Sequence, residues 1–129
     1  MTGKKVLVVD DEIHIVHVVA IKLRNNGYEV VSADNGAEAF ELACKEKPDI
    51  VVTDFQMPVM TGLELVEKLR QREETRDIPV IILTARNFAI PEEQQEELRI
   101  SGCISKPFSP KELLGNIEDI LYQRELIVR

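Results

Sequence analysis

The sequence predicts an α/β domain with a doubly wound parallel sheet. Short runs rich in valine and isoleucine alternate five times with longer segments of helical periodicity. The runs are almost continuously apolar, which is typical of strands buried on both faces of a parallel sheet. Right-handed crossovers between such strands place helices on both faces. We therefore expect a five-stranded parallel sheet with five helices, (βα)5 in chain order.

The length and composition predict one globular domain. A chain of 129 residues is too short for two ordinary domains, and 44% hydrophobic with 30% charged residues is a common globular balance. No apolar run approaches the roughly 20 residues that span a bilayer. The first apolar run breaks on acidic residues without a cleavage site, so the cytoplasm is the default location. We assign residues 1–124 to the domain and residues 125–129 to a short tail.

The remaining composition argues against several other functions. The net charge of −7 disfavours direct nucleic-acid binding by this chain. Cys44 and Cys103 lack metal-binding spacing, which predicts two free thiols in a reducing compartment. His14 and His17 lie three residues apart without an evident third ligand, so they do not indicate a metal site. No glycine-rich phosphate loop follows the first strand.

The first half of the chain predicts two strand–helix units. The expected strands are Lys5–Val9 and residues 28–33, and the expected helices are residues 12–26 and a segment from 34–36 to 47. Gly27 stands where a helix C-terminus favours positive φ, and Pro48 ends the second helix. Asp34, Asn35 and Gly36 all offer an N-cap for that helix.

The second half predicts three further units. The expected strands are residues 50–53, 79–83 and 103–105, and the expected helices are residues 61–73, a segment from Pro91 and a segment from Ser109. Thr61 with Glu64 and Ser109 with Glu112 fit the capping box at the start of a helix. Pro91 precedes several glutamates, as favoured at a helix N-terminus.

Polar side chains follow four of the five predicted strands. Asp10 and Asp11 follow the first strand, Asp54 the third, Thr84 the fourth and Lys106 the fifth. The carboxyl ends of parallel strands meet at one edge of the sheet, where ligands of such folds bind. We therefore expect these side chains to lie close together.

This set of side chains suits phosphoryl transfer. Three neighbouring carboxylates repel one another unless a positive charge intervenes, and Mg²⁺ binds carboxylate oxygens while keeping several waters. Lys106 can reach a phosphate as a compact positive charge, and Thr84 supplies a hydroxyl. Asp54 can itself be a nucleophile that forms an aspartyl-phosphate.

Each residue taken alone also has an ordinary structural explanation. Asp10-Asp11 could cap a helix, Thr84 could be a turn residue and Lys106 could be a solvated lysine. A phosphoryl-transfer site is favoured because all of these groups fall at the same predicted edge.

Four segments resemble the receiver domain of two-component response regulators. They are VLVVDDE, VVTDFQMPVMTGLEL, VIILTA and SKPFSPKEL, in the order and spacing of that family across essentially the whole chain. The resemblance implies a flavodoxin-like sheet with strand order 2-1-3-4-5. It also implies that a histidine kinase or histidine phosphotransfer protein passes a phosphoryl group to an aspartate.

The resemblance assigns roles to individual residues. Asp54 would be the phosphoacceptor, and Mg²⁺ (or Mn²⁺) would be held by Asp11, Asp54 and the Gln56 backbone carbonyl, with Asp10 acting mainly through water. The phosphoryl group would be bound by Thr84, Lys106 and the backbone N–H groups of Phe55 and Ala85. Pro107 would hold a cis-peptide turn after Lys106.

Two positions, Cys103 and Arg86, depart from the family pattern. Cys103 stands where the family usually has an aromatic switch residue, so we expect output through the loop and helix after strand four. Arg86, two residues after Thr84, would flank the attacking water together with Gln56 and so affect the lifetime of the phosphorylated state. Output would use the face formed by helix four, strand five and helix five, toward a downstream partner, an output domain or a second copy.

Two other function classes fit parts of the sequence. A haloacid-dehalogenase-like phosphohydrolase also uses a strand-end aspartate, but it needs a second aspartate two residues later, where this chain has Gln56. An interaction module independent of phosphorylation would use the same scaffold. The sequence leaves open whether the chain acts alone or belongs to a longer protein.

Overall fold

The computed structural model describes residues 3–85 and 88–128, with side chains described through Leu126. Five strands and five helices alternate along the chain: β1 Lys5–Val9, α1 Ile13–Arg24, β2 Glu29–Ala33, α2 Gly36–Glu46, β3 Ile50–Asp54, α3 Gly62–Arg70, β4 Val80–Thr84, α4 Glu92–Glu97, β5 Gly102–Ser105 and α5 Pro110–Val128. The strands form one parallel sheet in the order β2-β1-β3-β4-β5, which confirms the predicted topology.

The strands bury side chains on both faces of the sheet. Val6 and Val8 of β1 pack with the apolar sides of α1 and α5. Leu7 and Val9 of the same strand point the other way and pack with α2 and α3. Successive side chains of a strand face opposite sides, so a doubly covered sheet requires an unbroken apolar run.

The predicted helix ends are partly borne out. Thr61 and Glu64 form a complete capping box at the start of α3, and Asn35 caps α2 through its side chain. Gly27 has φ of 88°, the left-handed conformation that glycine adopts at least cost after a helix. At α5 only the Ser109 half of the capping box forms, with the Glu112 N–H donating to the Ser109 hydroxyl at 3.0 Å.

Two helix boundaries differ from the sequence-based expectation. α3 ends at Arg70 rather than at residue 73, because the buried Thr75 hydroxyl donates to the Leu69 carbonyl at 2.7 Å and turns the chain. α5 continues to Val128, so the segment expected as a tail is helical up to that residue. Both cysteines are free thiols, as predicted.

The strand order places the site. The chain leaves β1 toward β2 on one side and then builds β3, β4 and β5 on the other, so the order reverses between β1 and β3. A crevice opens at such a switch point, outside the carboxyl ends of the two strands. Asp10 follows β1 and Asp54 ends β3, so both carboxylates stand at this crevice. Among the described helices, none combines the length and apolarity needed to cross a membrane.

Candidate functional site at the carboxyl edge of the sheet

Three aspartates converge at the switch point. Asp10, Asp11 and Asp54 each place a carboxylate oxygen so that these atoms lie within 4.8 Å of one another. Asp10 is 1% exposed and Asp54 is 7% exposed, whereas Asp11 is open to solvent. The fold has thus collected three like charges and buried two of them, an arrangement that needs compensation by positive charge.

Lys106 supplies positive charge from the end of β5. Its Nζ lies 3.1 Å from Asp10 Oδ2 and 3.2 Å from Asp54 Oδ1. It also lies 3.2 Å from Glu12 Oε1. The Lys106 N–H donates to the Thr84 carbonyl at 2.8 Å, which ties its backbone to the end of β4. The peptide bond to Pro107 is cis.

The buried charges shift one another's ionisation. Burial raises the pKa of Asp54, and the nearby Asp10 carboxylate raises it further, against the opposing pull of Lys106. Burial likewise raises the pKa of Asp10 above its ordinary value. Burial alone would lower the pKa of Lys106, but its hydrogen bonds and attraction to the carboxylates outweigh that effect and raise it. Lys106 therefore stays charged, whereas Asp10 and Asp54 hold their charges at a free-energy cost.

A glycine lets α3 approach the acceptor strand. A Cβ added to Gly62 would lie 2.6 Å from the Asp54 backbone carbonyl oxygen, far inside contact distance. The Gly62 N–H donates to the Phe55 carbonyl at 2.8 Å, which fixes the turn between β3 and α3. The position of Asp54 therefore depends on a residue eight positions later that has no side chain.

A cleft of about 440 Å³ opens over Asp54. Its lining consists of Asp11, Glu12, Asp54, Phe55, Gln56, Ala85, Phe88 and Lys106. The charged members come from the ends of β1, β3 and β5, and the aromatic members follow β3 and β4. The cleft therefore presents both charged and aromatic surface to a ligand.

Most of the predicted site residues line this cleft, but Asp10 and Thr84 do not. The Thr84 hydroxyl points to β5 and donates weakly to the Ile104 carbonyl at 3.5 Å. The Phe55 N–H donates to the Leu83 carbonyl at 2.8 Å, so it can serve a phosphoryl oxygen only if that bond is shared or broken. Cys103 is exposed on the edge strand β5. Arg86 lies outside the described residues.

Sequence reasoning missed two residues of the cleft. Glu12 was read only as the start of a helix, yet its carboxylate contacts Lys106, and its N–H donates to Asp10 Oδ1 at 2.9 Å. A third acidic residue directly after Asp10-Asp11 was the available signal. Phe88 carried no comparable signal, because only the folded chain brings it next to Phe55.

The residues present fit a hard divalent cation. Carboxylate oxygens from Asp10, Asp11 and Asp54 are close enough to share one ion, and oxygen donors are what Mg²⁺ prefers. Gln56 lines the same cleft. The three clustered aspartates therefore suit the cation that the sequence predicted.

The fold and the site define a doubly wound α/β domain that gathers carboxylates and a lysine at its switch point. Comparison of the chain with known proteins identifies the family within this class. A family model described as the response regulator receiver domain matches residues 6–118. The chain belongs to this family, which confirms the resemblance drawn from the four sequence segments.

Individual relatives and solved structures agree with this assignment. The phosphate regulon transcriptional regulatory protein PhoB of Pseudomonas aeruginosa is 38% identical over 121 residues, which cover 94% of this chain and 53% of that protein. The probable transcriptional regulator ycf27 of Cyanophora paradoxa is 41% identical over 122 residues, covering 95% of this chain and 50% of that protein. The chain thus spans about half the length of these relatives.

A solved structure matches over nearly its full length. The chemotaxis response regulator CheY4 of Vibrio cholerae superposes with a TM-score of 0.85 at 35% identity, covering 92% of this chain and 99% of that one. The receiver domain of Francisella response regulator 1452 gives a TM-score of 0.82 at 33% identity, covering 95% and 98%. The chain is therefore a receiver domain of two-component signalling, a signalling module rather than a conventional enzyme.

Proposed function

We propose that this chain accepts a phosphoryl group on Asp54 in a Mg²⁺-dependent reaction and thereby changes its binding to a partner. The donor is a sensor histidine kinase or a histidine phosphotransfer protein. One observation carries the proposal: Lys106 Nζ lies 3.2 Å from Asp54 Oδ1, and the Asp54 carboxylate clusters with those of Asp10 and Asp11. Membership of the receiver family supports the same reaction class.

Asp54 is suited to act as the nucleophile. Its carboxylate stands at the end of a rigid, fully buried strand, so its position relative to an incoming phosphorus is fixed by the sheet. An oxygen of Asp54 attacks the phosphorus, a new O–P bond forms, and the bond from phosphorus to the donor nitrogen breaks. The electron pair of the broken bond stays with the donor imidazole. Because the other nitrogen of the phosphorylated ring carries a proton, the imidazole leaves as a neutral ring.

Lys106 is placed to balance the charge that arrives with the phosphoryl group. Its ammonium already contacts Asp54, so a phosphoryl group on that carboxylate would lie within reach of the same nitrogen. Fixed positive charge aimed at the phosphoryl oxygens stabilises such a transition state. The Thr84 hydroxyl can contribute only after it turns away from the Ile104 carbonyl.

The carboxylates of Asp11 and Asp54 and the Gln56 carbonyl would hold Mg²⁺, with Asp10 completing the acidic pocket. A bound divalent cation would neutralise charge on the phosphoryl oxygens as the group is transferred. Asp10 and Glu12 meanwhile anchor Lys106 through contacts of 3.1 and 3.2 Å. These contacts keep the lysine at the cleft before a phosphoryl group arrives.

The signal would leave through the surface formed by α4, β5 and α5. Thr84 and Lys106 connect the cleft to this surface, because both are bonded across β4 and β5. A downstream protein, an attached output domain or a second copy could read the change. The names of several relatives describe transcriptional regulators, whereas a neighbour matched over nearly its full length is a chemotaxis regulator.

Labelling with a small phosphodonor tests the proposal. The chain is incubated with acetyl phosphate, with Mg²⁺ or with EDTA, and intact mass spectrometry detects the added phosphoryl group. We expect labelling of the wild type with Mg²⁺, almost none with EDTA and none in Asp54→Asn. Asp34→Asn is the matched control, because Asp34 follows β2 at the same edge but lies outside the aspartate cluster. Labelling that persists in Asp54→Asn would refute the site.

A further inference from the structure

An aromatic pair forms part of the cleft over Asp54. The rings of Phe55 and Phe88 lie 4.7 Å apart between centroids, with 39° between their planes. Both rings line the same cleft as Asp54 and Lys106. This is the usual spacing of a favourable aromatic contact. The charged groups already described account for binding a phosphoryl group and a cation, but they leave these two rings without a role.

The two rings are held there by different parts of the fold. Phe55 directly follows Asp54, and its N–H donates to the Leu83 carbonyl at 2.8 Å, so the residue is anchored to the sheet. Phe88 follows β4, and its N–H donates to the Ala85 carbonyl at 3.1 Å. Phe88 nevertheless keeps 42% of its surface exposed, so Phe55 covers only part of the ring and the rest is open to contact.

The proposed donor carries a feature that this aromatic surface can recognise. A phosphoryl group that comes from histidine arrives attached to an imidazole ring, whereas acetyl phosphate and similar donors carry no ring. Aromatic rings in contact attract one another beyond simple area burial, worth about two- to tenfold in an equilibrium or rate constant. A ring contact near Asp54 would therefore help a donor with an imidazole group and give nothing to a donor without one.

We propose that Phe88, packed against Phe55, forms the wall of the cleft that receives the imidazole ring of the phosphodonor. This inference rests on the proposed function and adds a determinant of donor specificity to it. Phe88 contacts the leaving group during transfer, while Asp54 and Lys106 act on the phosphoryl group. As the N–P bond breaks and the O–P bond to Asp54 forms, the protonated phosphoimidazole releases neutral imidazole against the aromatic pair.

Small donors separate this contact from protein docking. The full chain with Mg²⁺ is phosphorylated by monophosphoimidazole or by acetyl phosphate, and quenched samples are resolved on phosphate-affinity gels. The measured quantity is the rate constant with monophosphoimidazole divided by the rate constant with acetyl phosphate. We expect Phe88→Ala and Phe88→Leu to lower this ratio about three- to tenfold, because both remove the ring, and Phe88→Tyr to stay within about twofold of the wild type. Tyr122→Ala is the control, since Tyr122 is an exposed aromatic residue on α5, outside the cleft lining.

The outcomes distinguish this inference from the proposed function. Equal slowing with both donors, or an unchanged ratio in Phe88→Ala, would overturn the role of Phe88 and leave Asp54 as the acceptor. A wild-type chain that neither donor labels, or an Asp54→Asn variant that both donors still label, would instead overturn the proposed function. Circular dichroism of each variant establishes that a changed ratio comes from a folded protein.

Discussion

The ionised carboxylate of Asp54, the form that can act as a nucleophile, lowers the stability of the fold. Asp54 is 7% exposed, and its burial raises its pKa above the ordinary value. Lys106 offsets part of this effect but also serves Asp10 and Glu12, so its charge is shared. A buried carboxylate with incomplete compensation destabilises the fold at neutral pH, where it must be ionised. Asp54 therefore lowers stability in the state in which it can act as a nucleophile.

The stability cost of Asp54 has a defined pH dependence. A folded-state pKa above the unfolded value of 3.8 means that the favourable contribution is present below that value and lost as pH rises through the folded pKa. We therefore expect Asp54→Asn to raise the free energy of unfolding by about 1 kcal/mol at pH 7 in EDTA. The advantage should shrink toward zero as the pH falls toward the unfolded value.

Urea denaturation at a series of pH values measures this difference. Asp119→Asn, which removes an exposed carboxylate on α5, controls for the loss of a negative charge elsewhere. A difference between Asp54→Asn and the wild type that grows on acidification would contradict the prediction, because it would place the folded pKa below the unfolded value.

At the scale of the element, the junction of β3 and α3 depends on Gly62. A side chain there would meet the Asp54 carbonyl oxygen at 2.6 Å and the Phe55 Cα at 3.2 Å, both parts of the backbone. Neither neighbour can rotate away, so α3 or the end of β3 must shift. The close approach of β3 and α3 therefore fixes the backbone at Asp54, the last residue of β3.

We expect Gly62→Ala to lower the free energy of unfolding by about 1–3 kcal/mol and to reduce phosphorylation of Asp54. Gly115→Ala is the matched control, because a Cβ at Gly115 in α5 meets no atom within 4 Å. That change should stabilise the protein by about 0.5–1 kcal/mol, since alanine favours helix over glycine. Thermal unfolding and acetyl phosphate labelling of both variants check the pair. Equal stability changes of the same sign would contradict the steric explanation.

Arg70 connects three elements on the side of the sheet covered by α3. Its guanidinium donates to the carbonyls of Leu98 and Arg99 after α4, and to those of Arg76 and Ile78 before β4. Burial, with repulsion from Arg99, lowers the pKa of Arg70 to about 10. α4 has only six residues and none of them is fully buried, so its position depends on such contacts more than on core packing.

We expect Arg70→Lys to lower the free energy of unfolding by about 1–2 kcal/mol, because an ammonium cannot reproduce a fork of donors to four carbonyls. Hydrogen exchange should become faster over residues 92–100, where α4 loses its anchor. Arg72→Lys changes an exposed ion pair with Glu74 and a cation–π contact with Phe40, and a lysine can make both. This control should stay within about 0.5 kcal/mol of the wild type. Unchanged exchange over residues 92–100 in Arg70→Lys would show that Arg70 does not hold α4.

At the scale of the whole molecule, the cleft and the proposed output surface share two strands. Thr84 at the end of β4 donates to the Ile104 carbonyl of β5, and the Lys106 N–H donates back to the Thr84 carbonyl. A phosphoryl group that draws the Thr84 hydroxyl toward Asp54 must break the weak 3.5 Å contact with β5. Cys103 on the same strand is exposed and carries no aromatic ring to follow that movement.

We therefore expect beryllofluoride with Mg²⁺ to shift amide resonances between Thr84 and Ser105, including those of α4. Beryllofluoride imitates a phosphoryl group on the acceptor carboxylate, so the shifts report the change without chemical turnover. The same additions to Asp54→Asn are the control and should leave these resonances in place. Unchanged amide resonances between Thr84 and Ser105 in the wild type, with shifts confined to residues beside Asp54, would contradict this route of output.

The fold was predicted correctly where a short segment by itself determines a strand or the start of a helix. The run from Lys5 to Val9 is apolar at every position that the sheet buries, and Thr61 with Glu64 satisfies the first turn of α3 without help from elsewhere. The end of α3 was wrong by three residues because Thr75 bonds back to Leu69, a contact that no periodicity reveals. Phe88 and Arg70 were missed for the same reason, since their partners are distant in the chain.

The sequence by itself determined the parallel sheet, its two helical layers and the acidic and basic groups at the strand ends, because apolar periodicity and turn chemistry act over a few residues. The sequence predicted that Lys106 and Asp10 share one edge of the sheet, but only the tertiary structure decided that they form an ion pair across 96 positions. The tertiary structure also decided that Thr84 points to β5 and that Phe88 joins the cleft. These contacts follow from strand order and from the packing of whole elements, which bring together residues that no local pattern links.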